Sequence, residues 1–378
     1  MIETKKRLNI LWLTTWYPNR FDNFDGDFIQ RQAWAANLLN HVTVLAIVPS
    51  PVKKFEISVR KNIINEVLIL IPDSKNAFVK SFQFLRALFI GYKKIKIINA
   101  EKINLIHANI IGAASVMSFV LSKFLSVPFI ISEHWSGPLS LRKKTAYTVA
   151  KFIANKARAI VVLSQPMENL MRERGIKNYF NIVPNVVDTD MFALKEKKTS
   201  EVFKWLHVSS LRDDIKNITG ILNAFSKIEN KKFRLDIFGG GGDEIKLEKL
   251  ADALNLLNTK VFFHGTLTHD KIAEAMQDAD AFVMNSRREG LPCVILEAMS
   301  CGLPIVSTDV GGISEWVMDE IGILIPSEDE IALQNAIVEM METPNNYQGK
   351  TIRNKIVNTC GYEKICRQLS EIYNFVCN

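Results

Sequence analysis

The sequence predicts an α/β protein of two doubly wound domains, each with a parallel sheet covered by helices on both faces. Short apolar runs rich in β-branched residues alternate with longer helix-like segments along the whole chain. This alternation is typical of parallel sheets whose strands are joined by helices. The 378 residues also exceed what one ordinary hydrophobic core holds, so two cores are expected.

The strands are predicted in two series, one in each half of the chain. The runs are mainly apolar and are bounded by polar turns, as expected for strands buried on both faces. In the first half the runs occupy residues 8–15, 41–48, 67–71, 103–107, 128–132, 159–164 and 179–183. In the second half they occupy residues 202–209, 233–238, 260–264, 281–285, 304–308 and 322–326.

The boundary between the domains is predicted near the sequence NVVDTDMFALKEKKTSEVF, where a strand ends and a polar, lysine-rich stretch leads into a new first strand. The first domain then comprises residues 1–190 and the second residues 191–361. We expect a C-terminal helix at residues 362–378 to pack back on the first domain. Open parallel sheets bind ligands at the carboxyl ends of their strands, so a deep cleft between the domains is the expected site.

Charge is divided unequally between the two halves of the chain. Residues 1–190 contain 26 Lys or Arg and 13 Asp or Glu, a net charge of +13. The other 188 residues contain 21 and 27, a net charge of −6. The basic half predicts a polyanionic partner, such as an anionic membrane or a phosphorylated acceptor. Nucleic acid is not expected, because no recognised binding motif accompanies the charge.

Two segments of the basic half, residues 80–102 and 140–158, mix apolar positions with six basic residues each. They predict basic amphipathic helices, which can dock reversibly on an anionic leaflet. The alternative is that these helices only pack on their own sheet and expose their basic residues to solvent.

The location of the protein is predicted from three features of the sequence. No cleavable signal peptide and no apolar run long enough to span a bilayer is recognised. The five cysteines include no C-x-x-C pair, which favours reduced thiols over disulfides or a zinc site. We therefore expect a cytoplasmic protein, peripheral on the inner membrane face.

The sequence NSRREGLPCVILEAMSCGLPIVST, residues 285–308, carries the strongest indication of a ligand site. It predicts a strand, a loop and a helix beginning near Pro292, whose first N–H groups and dipole favour a phosphate. Glu289 precedes this helix and Glu297 lies within it, and their carboxylates can accept hydrogen bonds from hydroxyl groups. The combination suits a ligand that is part diphosphate and part polyol. On these residues alone, an ordinary strand–turn–helix with an acidic first turn is the alternative.

The spacing E-x7-E from Glu289 to Glu297, with GLP after the first Glu and AMSCGLPIV after the second, resembles a known family signature. It is that of the group 1, glycogen-synthase-like, retaining glycosyltransferases of the GT-B superfamily. The likeness extends to IVPNVVDTDMF, SSLRDDIKNITGILNAF, IFGGGGDE, VFFHGTL, DADAFVMNS and the loop at Gly311 and Gly312. It implies transfer of a sugar from a nucleotide-diphosphate donor to a lipid-linked or polysaccharide acceptor. Two alternatives stay open: a sugar-nucleotide epimerase on the same plan, or a catalytically silent nucleotide-sugar-binding protein.

The resemblance also implies roles for residues of the predicted loop and helix. Glu289 would hold hydroxyls of the transferred sugar, and Glu297 would hold the ribose hydroxyls. The backbone of Gly290, Leu291 and Pro292 would bind the diphosphate.

A second loop, after the strand at residues 202–209, is expected to supply positive charge. Lys216 matches the lysine that neutralises the leaving phosphate in the family. Members usually carry an arginine before the Leu of this loop, where this chain has Ser210. Arg212, after that Leu, would either reach the phosphates from a shifted position or leave the task to Lys216. Three further residues are expected near the donor: Gly240, Gly265 and Thr266.

The acceptor side is predicted in the first half of the chain. Gly26 lies in the loop after the first strand and would permit close backbone approach to a ligand. His134 follows the strand at residues 128–132 and resembles the family's catalytic-site histidine beside the transferred sugar. His107 ends another strand and is a second candidate. For each histidine a hydrogen-bonded core position is the alternative.

No metal site and no cofactor are expected. Two D-x-D sequences, Asp188 to Asp190 and Asp278 to Asp280, occur where an interdomain stretch and a helix end explain them. The glycine run at residues 239–242 lacks the third glycine of a dinucleotide-binding motif, so it is interpreted as a tight turn near the donor.

Overall fold

The computed structural model describes residues 7–99, 101–134, 144–196 and 200–378, which form two compact units. The first comprises Met1–Val186 and Tyr362–Asn378, and the second comprises Val187–Gly361. The first unit thus ends at Val186 rather than at residue 190. The backbone N–H of Val187 donates to the carbonyl oxygen of Cys360 at 3.0 Å, which ties Val187 to the second unit.

The first unit contains a sheet that is parallel except at one edge. Its strands are β1 (Asn9–Thr14), β2 (His41–Ser50), β3 (Glu56–Lys61), β4 (Asn65–Pro72), β5 (Leu105–Asn109), β6 (Phe129–Ser132), β7 (Ile160–Val162) and β8 (Phe180–Ile182). Their order is β3-β4-β2-β1-β5-β6-β7-β8, and only the β3–β4 pairing among these strands is antiparallel. The order reverses between β1 and β5, so loops after these strands diverge to opposite faces.

Helices cover both faces of this sheet. They are α1 (Asp27–Asn37), α2 (Ala77–Ile98), α3 (Ala113–Leu125), α4 (Lys144–Ala154), α5 (Gln165–Glu173) and, from the end of the chain, α13 (Tyr362–Cys377). Val44 and Ala46 of β2 pack in the core beneath α1 and α13. Leu45 points to the other face, against Gly91 of α2. Because both faces are covered, β2 is apolar almost throughout.

The second unit contains a fully parallel sheet. Its strands are β9 (Phe203–Val208), β10 (Phe233–Phe238), β11 (Val261–Phe263), β12 (Ala281–Met284), β13 (Ile305–Thr308) and β14 (Gly322–Ile325). Its helices are α6 (Asp213–Lys216), α7 (Ile218–Ser226), α8 (Glu244–Ala253), α9 (His269–Asp278), α10 (Cys293–Ser300), α11 (Glu330–Glu342) and α12 (Gly349–Val357). The strand order is β11-β10-β9-β12-β13-β14, the doubly wound order, with its reversal between β9 and β12.

The predicted class, two doubly wound α/β sheets, is confirmed. Among the strands in the described residues, the sequence prediction omits β3, whose residues EISVRK are largely exposed at the sheet edge and lack an apolar run. The predicted helix at 140–158 is described from Lys144 onward, and residues 140–143 lie outside the described residues. Within the described ranges, no helix combines the length and apolar character needed to cross a bilayer.

Candidate functional site

The loops after β9 and β12 meet at the carboxyl edge of the second sheet. These two strands are neighbours, and the strand order reverses between them. In doubly wound sheets this reversal leaves a crevice in which ligands bind. The loop after β9 leads through α6 into α7, and the loop after β12 leads into α10.

An ion pair joins these two loops. Lys216 Nζ donates to Glu289 Oε1 at 2.5 Å, and the side chains are 16% and 11% exposed. Lys216 ends α6 and Glu289 lies shortly before α10, so residues far apart in sequence are brought into contact. The structure therefore places together the two residues that the sequence analysis named for the leaving phosphate and the transferred sugar.

Arg287 holds the same two loops against each other. The sequence analysis did not identify this residue. Its guanidinium donates to the carbonyl oxygen of Asp213 at 2.6 Å, to Asn217 Oδ1 at 2.9 Å and to Glu328 Oε1 at 2.8 Å. Its backbone N–H donates to the carbonyl oxygen of Ile215 at 2.7 Å. A planar guanidinium can satisfy several acceptors at once, so Arg287 holds the turn that carries Lys216. Its position in the loop before Glu289 was the available signal.

His207 lies beneath this loop as a buried, neutral hydrogen-bonding group. Its Nδ1 is 2.8 Å from the carbonyl oxygen of Val283, and its Nε2 is 2.7 Å from Ser209 Oγ. A carbonyl only accepts, so Nδ1 carries the proton and Ser209 donates to Nε2. Burial, and less strongly the charge of Lys216, lower the pKa of His207 to about 4. The neutral imidazole thus connects β9, β12 and the start of the Lys216 loop.

The segment before α10 is held by the loop after β13. Gly311 has φ +63°, and a Cβ there would lie 2.3 Å from the carbonyl oxygen of Glu289. The N–H of Gly312 donates to the carbonyl oxygen of Gly290 at 2.7 Å. Leu291 and Pro292 are buried. Helix α10 begins at Cys293, and Pro292, the residue before it, supplies no side-chain cap to its first turn.

Glu297 lies in the middle of α10 and is 2% exposed. Its carboxylate is therefore held close to the helix and the sheet, and it would meet a ligand only from within the crevice. The role expected for Glu297, which is to hold the ribose hydroxyls, stays a prediction.

The glycine turn after β10 packs against the loop after β9. A Cβ on Gly239 would lie 1.7 Å from the carbonyl oxygen of Ser209, so only glycine fits there. The N–H of Gly239 donates to the carbonyl oxygen of Gly265 at 2.8 Å, and Gly240 faces Thr266. The carboxyl ends of β9, β10 and β11 are thereby joined.

Arg212, the basic residue whose position departs from the family pattern, pairs with an aspartate and does not contact Glu289. Arg212 precedes α6, is 58% exposed and pairs with Asp214 at 3.1 Å. Ser210, at the usual arginine position, is exposed. In this arrangement, Lys216 rather than Arg212 is the cation that contacts Glu289.

In the first unit, the loop after β1 is tightly folded on itself. Gly26 has φ +64°, and a Cβ there would lie 2.4 Å from the carbonyl oxygen of Trp16. The close approach that requires glycine is therefore to the chain's own backbone, and the approach of a ligand to this loop stays a prediction. Asn19 Oδ1 accepts from the N–H groups of Phe21 and Asp22, which fixes the loop further.

A cavity of about 430 Å³ opens beside this loop, at the carboxyl edge of the first sheet. Its polar lining includes Asp25, Asp73 and Lys80, and its apolar lining includes Trp16 and Phe84. Burial, opposed by a hydrogen bond from the Tyr17 backbone, raises the pKa of Asp25 to about 6. Sequence reasoning missed Asp25, although it stands next to Gly26.

His107 lies in the core, which favours the hydrogen-bonded core position over the role in the site. It is fully buried, with Nδ1 2.8 Å from Tyr373 Oη and Nε2 2.7 Å from Ser132 Oγ. Burial lowers its pKa to about 3. Alternation along β5 directs this side chain toward Trp12 and α13 rather than to the sheet edge.

His134 lies just beyond β6, at the carboxyl edge where it was expected, but it is 8% exposed. Its Nε2 is 3.4 Å from Asn109 Oδ1, and its ring centroid is 4.8 Å from that of Phe28. Burial lowers the pKa of His134 to about 4. At neutral pH it is therefore an uncharged hydrogen-bonding group.

Comparison with known families agrees with this geometry. The model of a family described as glycosyl transferases group 1 matches residues 186–356, and that of glycosyltransferase family 4 matches residues 33–191. Between them they cover most of both units. The chain belongs to the group 1 glycosyltransferases.

Relatives of this glycosyltransferase differ in their named activities. It is 28% identical over 220 residues to N-acetyl-alpha-D-glucosaminyl L-malate synthase of Bacillus anthracis, covering 56% of this chain and 57% of that protein. It is 26% identical over 300 residues to UDP-Gal:alpha-D-GlcNAc-diphosphoundecaprenol alpha-1,3-galactosyltransferase of Escherichia coli, covering 74% and 77%.

Solved structures match the glycosyltransferase along almost its full length. Sucrose-phosphate synthase from Thermosynechococcus elongatus has a TM-score of 0.79 at 19% identity, covering 98% of this chain and 99% of that one. HepE of Anabaena in complex with UDP has a TM-score of 0.75 at 17% identity, covering 98% and 100%. At these identities the likeness establishes the fold, which is GT-B.

Three of the four aspartates in the two D-x-D sequences accept hydrogen bonds within the glycosyltransferase. Asp278 accepts from Lys204 Nζ, and Asp280 accepts from the Lys204 N–H, both at 2.8 Å. Asp188 accepts from the backbone N–H groups of Asp190 and Met191. Among the described residues, no cluster of three or more His, Cys, Asp or Glu side chains suits a metal ion.

Proposed function

We propose that the protein transfers a sugar from a nucleotide-diphosphate donor to a lipid-linked or polysaccharide acceptor, with retention of configuration and without a metal ion or cofactor. The observation that carries this proposal is the contact between Lys216 and Glu289 at the reversal point of the second sheet. A cation and a carboxylate held side by side match a donor whose diphosphate and sugar are adjacent groups.

The diphosphate would lie against the segment of Gly290, Leu291 and Pro292, at the start of α10. Backbone N–H groups and the helix dipole favour an anion there. Lys216 would turn from Glu289 to the phosphate and neutralise the charge that develops on the leaving group. Glu289, released from the lysine, would accept hydrogen bonds from hydroxyls of the transferred sugar.

The nucleoside would extend toward the glycine turn of the same sheet edge. Glu297 would accept from the ribose hydroxyls, and Gly265 and Thr266 would lie against the base. Gly240 and Ser210 would line the donor between these groups, supported by their contacts with Thr266 and the β9 loop. Arg212 would assist only by leaving Asp214, so we assign the main electrostatic task to Lys216.

In the proposed reaction, the bond between the sugar's anomeric carbon and the diphosphate breaks, and the nucleoside diphosphate leaves with the electron pair. The acceptor hydroxyl attacks the anomeric carbon from the face that the leaving group vacates and gives its proton to the departing diphosphate oxygen, so no protein nucleophile is needed. Metal-independence is supported by the engagement of Asp278 and Asp280 with Lys204. Lys216 and the start of α10 would supply the positive potential.

The acceptor would bind the first unit, near His134 and the cavity beside Gly26. The E. coli relative is named for a diphosphoundecaprenol acceptor, which supports a lipid-linked substrate. The net charge of +13 in residues 1–190 supports a location on the cytoplasmic face of an anionic membrane.

A donor panel tests the proposal. The purified protein is incubated with UDP- and GDP-sugars, with and without a chelator, and the nucleotide and sugar products are identified. Slow hydrolysis of one donor, unaffected by the chelator, is the expected result. An isomerised sugar would instead identify an epimerase, and binding without turnover would identify a silent binding protein. Loss of turnover on chelation would overturn the metal-independent mechanism alone.

A further inference from the structure

One face of α2 presents a continuous row of exposed apolar side chains. Phe78 is 90% exposed, Phe82 67%, Leu85 39% and Phe89 42%. Their spacing of four, three and four residues places them on one side of the helix, and we call them the α2 stripe. Contiguous exposed apolar surface of this kind marks an interaction site rather than chance exposure.

The row continues onto the neighbouring helices. Phe124 at the end of α3 is 64% exposed, and its ring lies edge-on to Phe89 with centroids 6.2 Å apart. Phe152 of α4 is half exposed and contacts Phe119 of α3 with centroids 6.0 Å apart. Helix α3 packs between α2 and α4, so the three helices form one layer, the α2–α3–α4 face.

Charge on this face has a single sign. The three helix sequences contain no Asp or Glu, but five Lys or Arg in α2, one in α3 and two in α4. Lys123 and Lys156 lie over the rings of Phe119 and Phe152 at 5.8 and 5.5 Å, so cations and aromatic rings are interleaved. On the opposite face of the sheet, α1 and α13 carry acidic residues. The segregation is therefore a property of one face, not of the whole unit.

The cavity at the carboxyl edge of the first sheet adjoins this face. Lys80 and Phe84 of α2 line the cavity, and Phe78 and Phe82 of the α2 stripe lie in the same helical turns. A molecule held in a lipid layer at the α2 stripe would therefore have its polar end close to Lys80 and Asp25.

We propose that the α2–α3–α4 face docks on an anionic bilayer, with the α2 stripe inserted among the headgroups and the cavity open to a lipid-linked saccharide. The acceptor part of this proposal rests on the proposed function; the docking part does not. Helices that carry basic residues and no acidic ones complement anionic lipid, and interleaved aromatic rings suit the boundary between headgroups and acyl chains. A second copy of this chain fits the face poorly, because two basic surfaces repel each other.

Vesicle sedimentation tests the docking. The full chain is mixed with phosphatidylcholine vesicles, or with vesicles that also contain phosphatidylglycerol, and the bound fraction is measured at low and high salt. We expect binding to the anionic vesicles alone, weakened by salt. The double variant Phe82→Ser/Phe89→Ser should lower the apparent affinity by about tenfold or more. Lys93→Glu, which changes only charge, should lower it as well.

The matched control is the double variant Ile245→Ser/Ile331→Ser, which removes two exposed apolar side chains from α8 and α11 of the second unit. It should bind vesicles as the unaltered chain does. Equal binding by all variants would overturn the proposal, as would self-association that only the Phe82→Ser/Phe89→Ser variant abolishes. Donor hydrolysis without vesicles should be the same in every variant. If the chain hydrolyses a donor but does not bind vesicles, docking alone is refuted. If it binds vesicles but hydrolyses no donor, the proposed function alone is refuted.

Discussion

Lys216 donates a hydrogen bond to Glu289 across the carboxyl edge of the second sheet, with both side chains largely shielded from solvent. The two residues come from loops that no local interaction would bring together. Their contact depends on β9 and β12 being neighbours at the reversal of strand order. A diphosphate entering this edge competes with Glu289 for the lysine, so donor binding and release of the carboxylate are expected to be coupled.

Removing either partner should slow transfer. We expect Lys216→Ala and Glu289→Gln each to lower turnover at least about tenfold, which corresponds to about 1.4 kcal/mol of barrier. Because the two side chains touch, the double variant should lose less than the product of the single effects. Steady-state rates with the active donor measure this, with Lys231→Ala, at a partly exposed lysine paired to Glu342, as control. Near-normal rates in both single variants would discard the site.

Arg287 should act by positioning Lys216. Arg287→Ala removes the bonds to Asp213, Asn217 and Glu328, and we expect it to lower the free energy of unfolding by about 1–3 kcal/mol. Turnover should fall more than donor affinity, because the turn that carries Lys216 is no longer held in place. Arg287→Lys should rescue only part of either effect, because a lysine cannot supply the planar fork. Thermal melts and separate kcat and KM values check this.

The control for that prediction is the adjacent residue. Arg288 is exposed, and Arg288→Ala should leave both stability and kinetics close to those of the unaltered chain. If Arg287→Ala behaved like Arg288→Ala, the positioning role would be refuted.

The sequence was sufficient to predict the elements that are buried on both faces. The run HVTVLAIVPS became β2, because helices above and below a central strand leave no solvent-facing position for polar residues. Lys216 and Glu289 were identified by resemblance to family motifs, each on its own loop. Their contact with each other was not predicted, since it depends on which strands are adjacent.

The features that the sequence did not reveal depend on distant parts of the chain. His107 ends an apolar run, and its burial is decided by α13, which arrives from the end of the chain and supplies Tyr373. Strand β3 pairs only at an edge, so its exposed residues show no apolar pattern. Arg287 is recognisable only when the carbonyl of Asp213 and the side chain of Asn217 are in place.

Gly311 should be essential for the conformation of the segment that carries Glu289. Gly311→Ala would place a Cβ 2.3 Å from the Glu289 carbonyl oxygen and strain a backbone with φ +63°. The backbone cost alone is about 1–2 kcal/mol, and relief of the clash must move the Glu289 segment. We expect a lower melting temperature and weaker binding of nucleotide diphosphates in calorimetric titration. Gly242→Ala is the control, since nothing lies within 4 Å of a Cβ there; equal behaviour of the two variants would contradict the prediction.

Asp25 should make the stability of the first unit depend on pH. Burial, with the nearby charges of Asp22 and Asp27, raises the pKa of its carboxyl from 3.8 to about 6. The folded chain therefore resists ionisation that the unfolded chain accepts, and stability is lost as the pH rises from about 4 to about 6. Asp25→Asn removes this loss while keeping an oxygen for the Tyr17 N–H. The variant should melt higher above pH 6 and equal the unaltered chain below pH 4.

The expected gain from Asp25→Asn is about 1 kcal/mol, because the side chain is only partly buried and solvent screens its charge. Melting curves recorded across this pH range measure it, with Asp319→Asn, a change at an exposed aspartate of the second unit, as control. The control should shift the melting temperature little, and by the same amount at every pH. A gain for Asp25→Asn that did not grow with pH would show that the carboxyl ionises as easily in the folded chain as in the unfolded one.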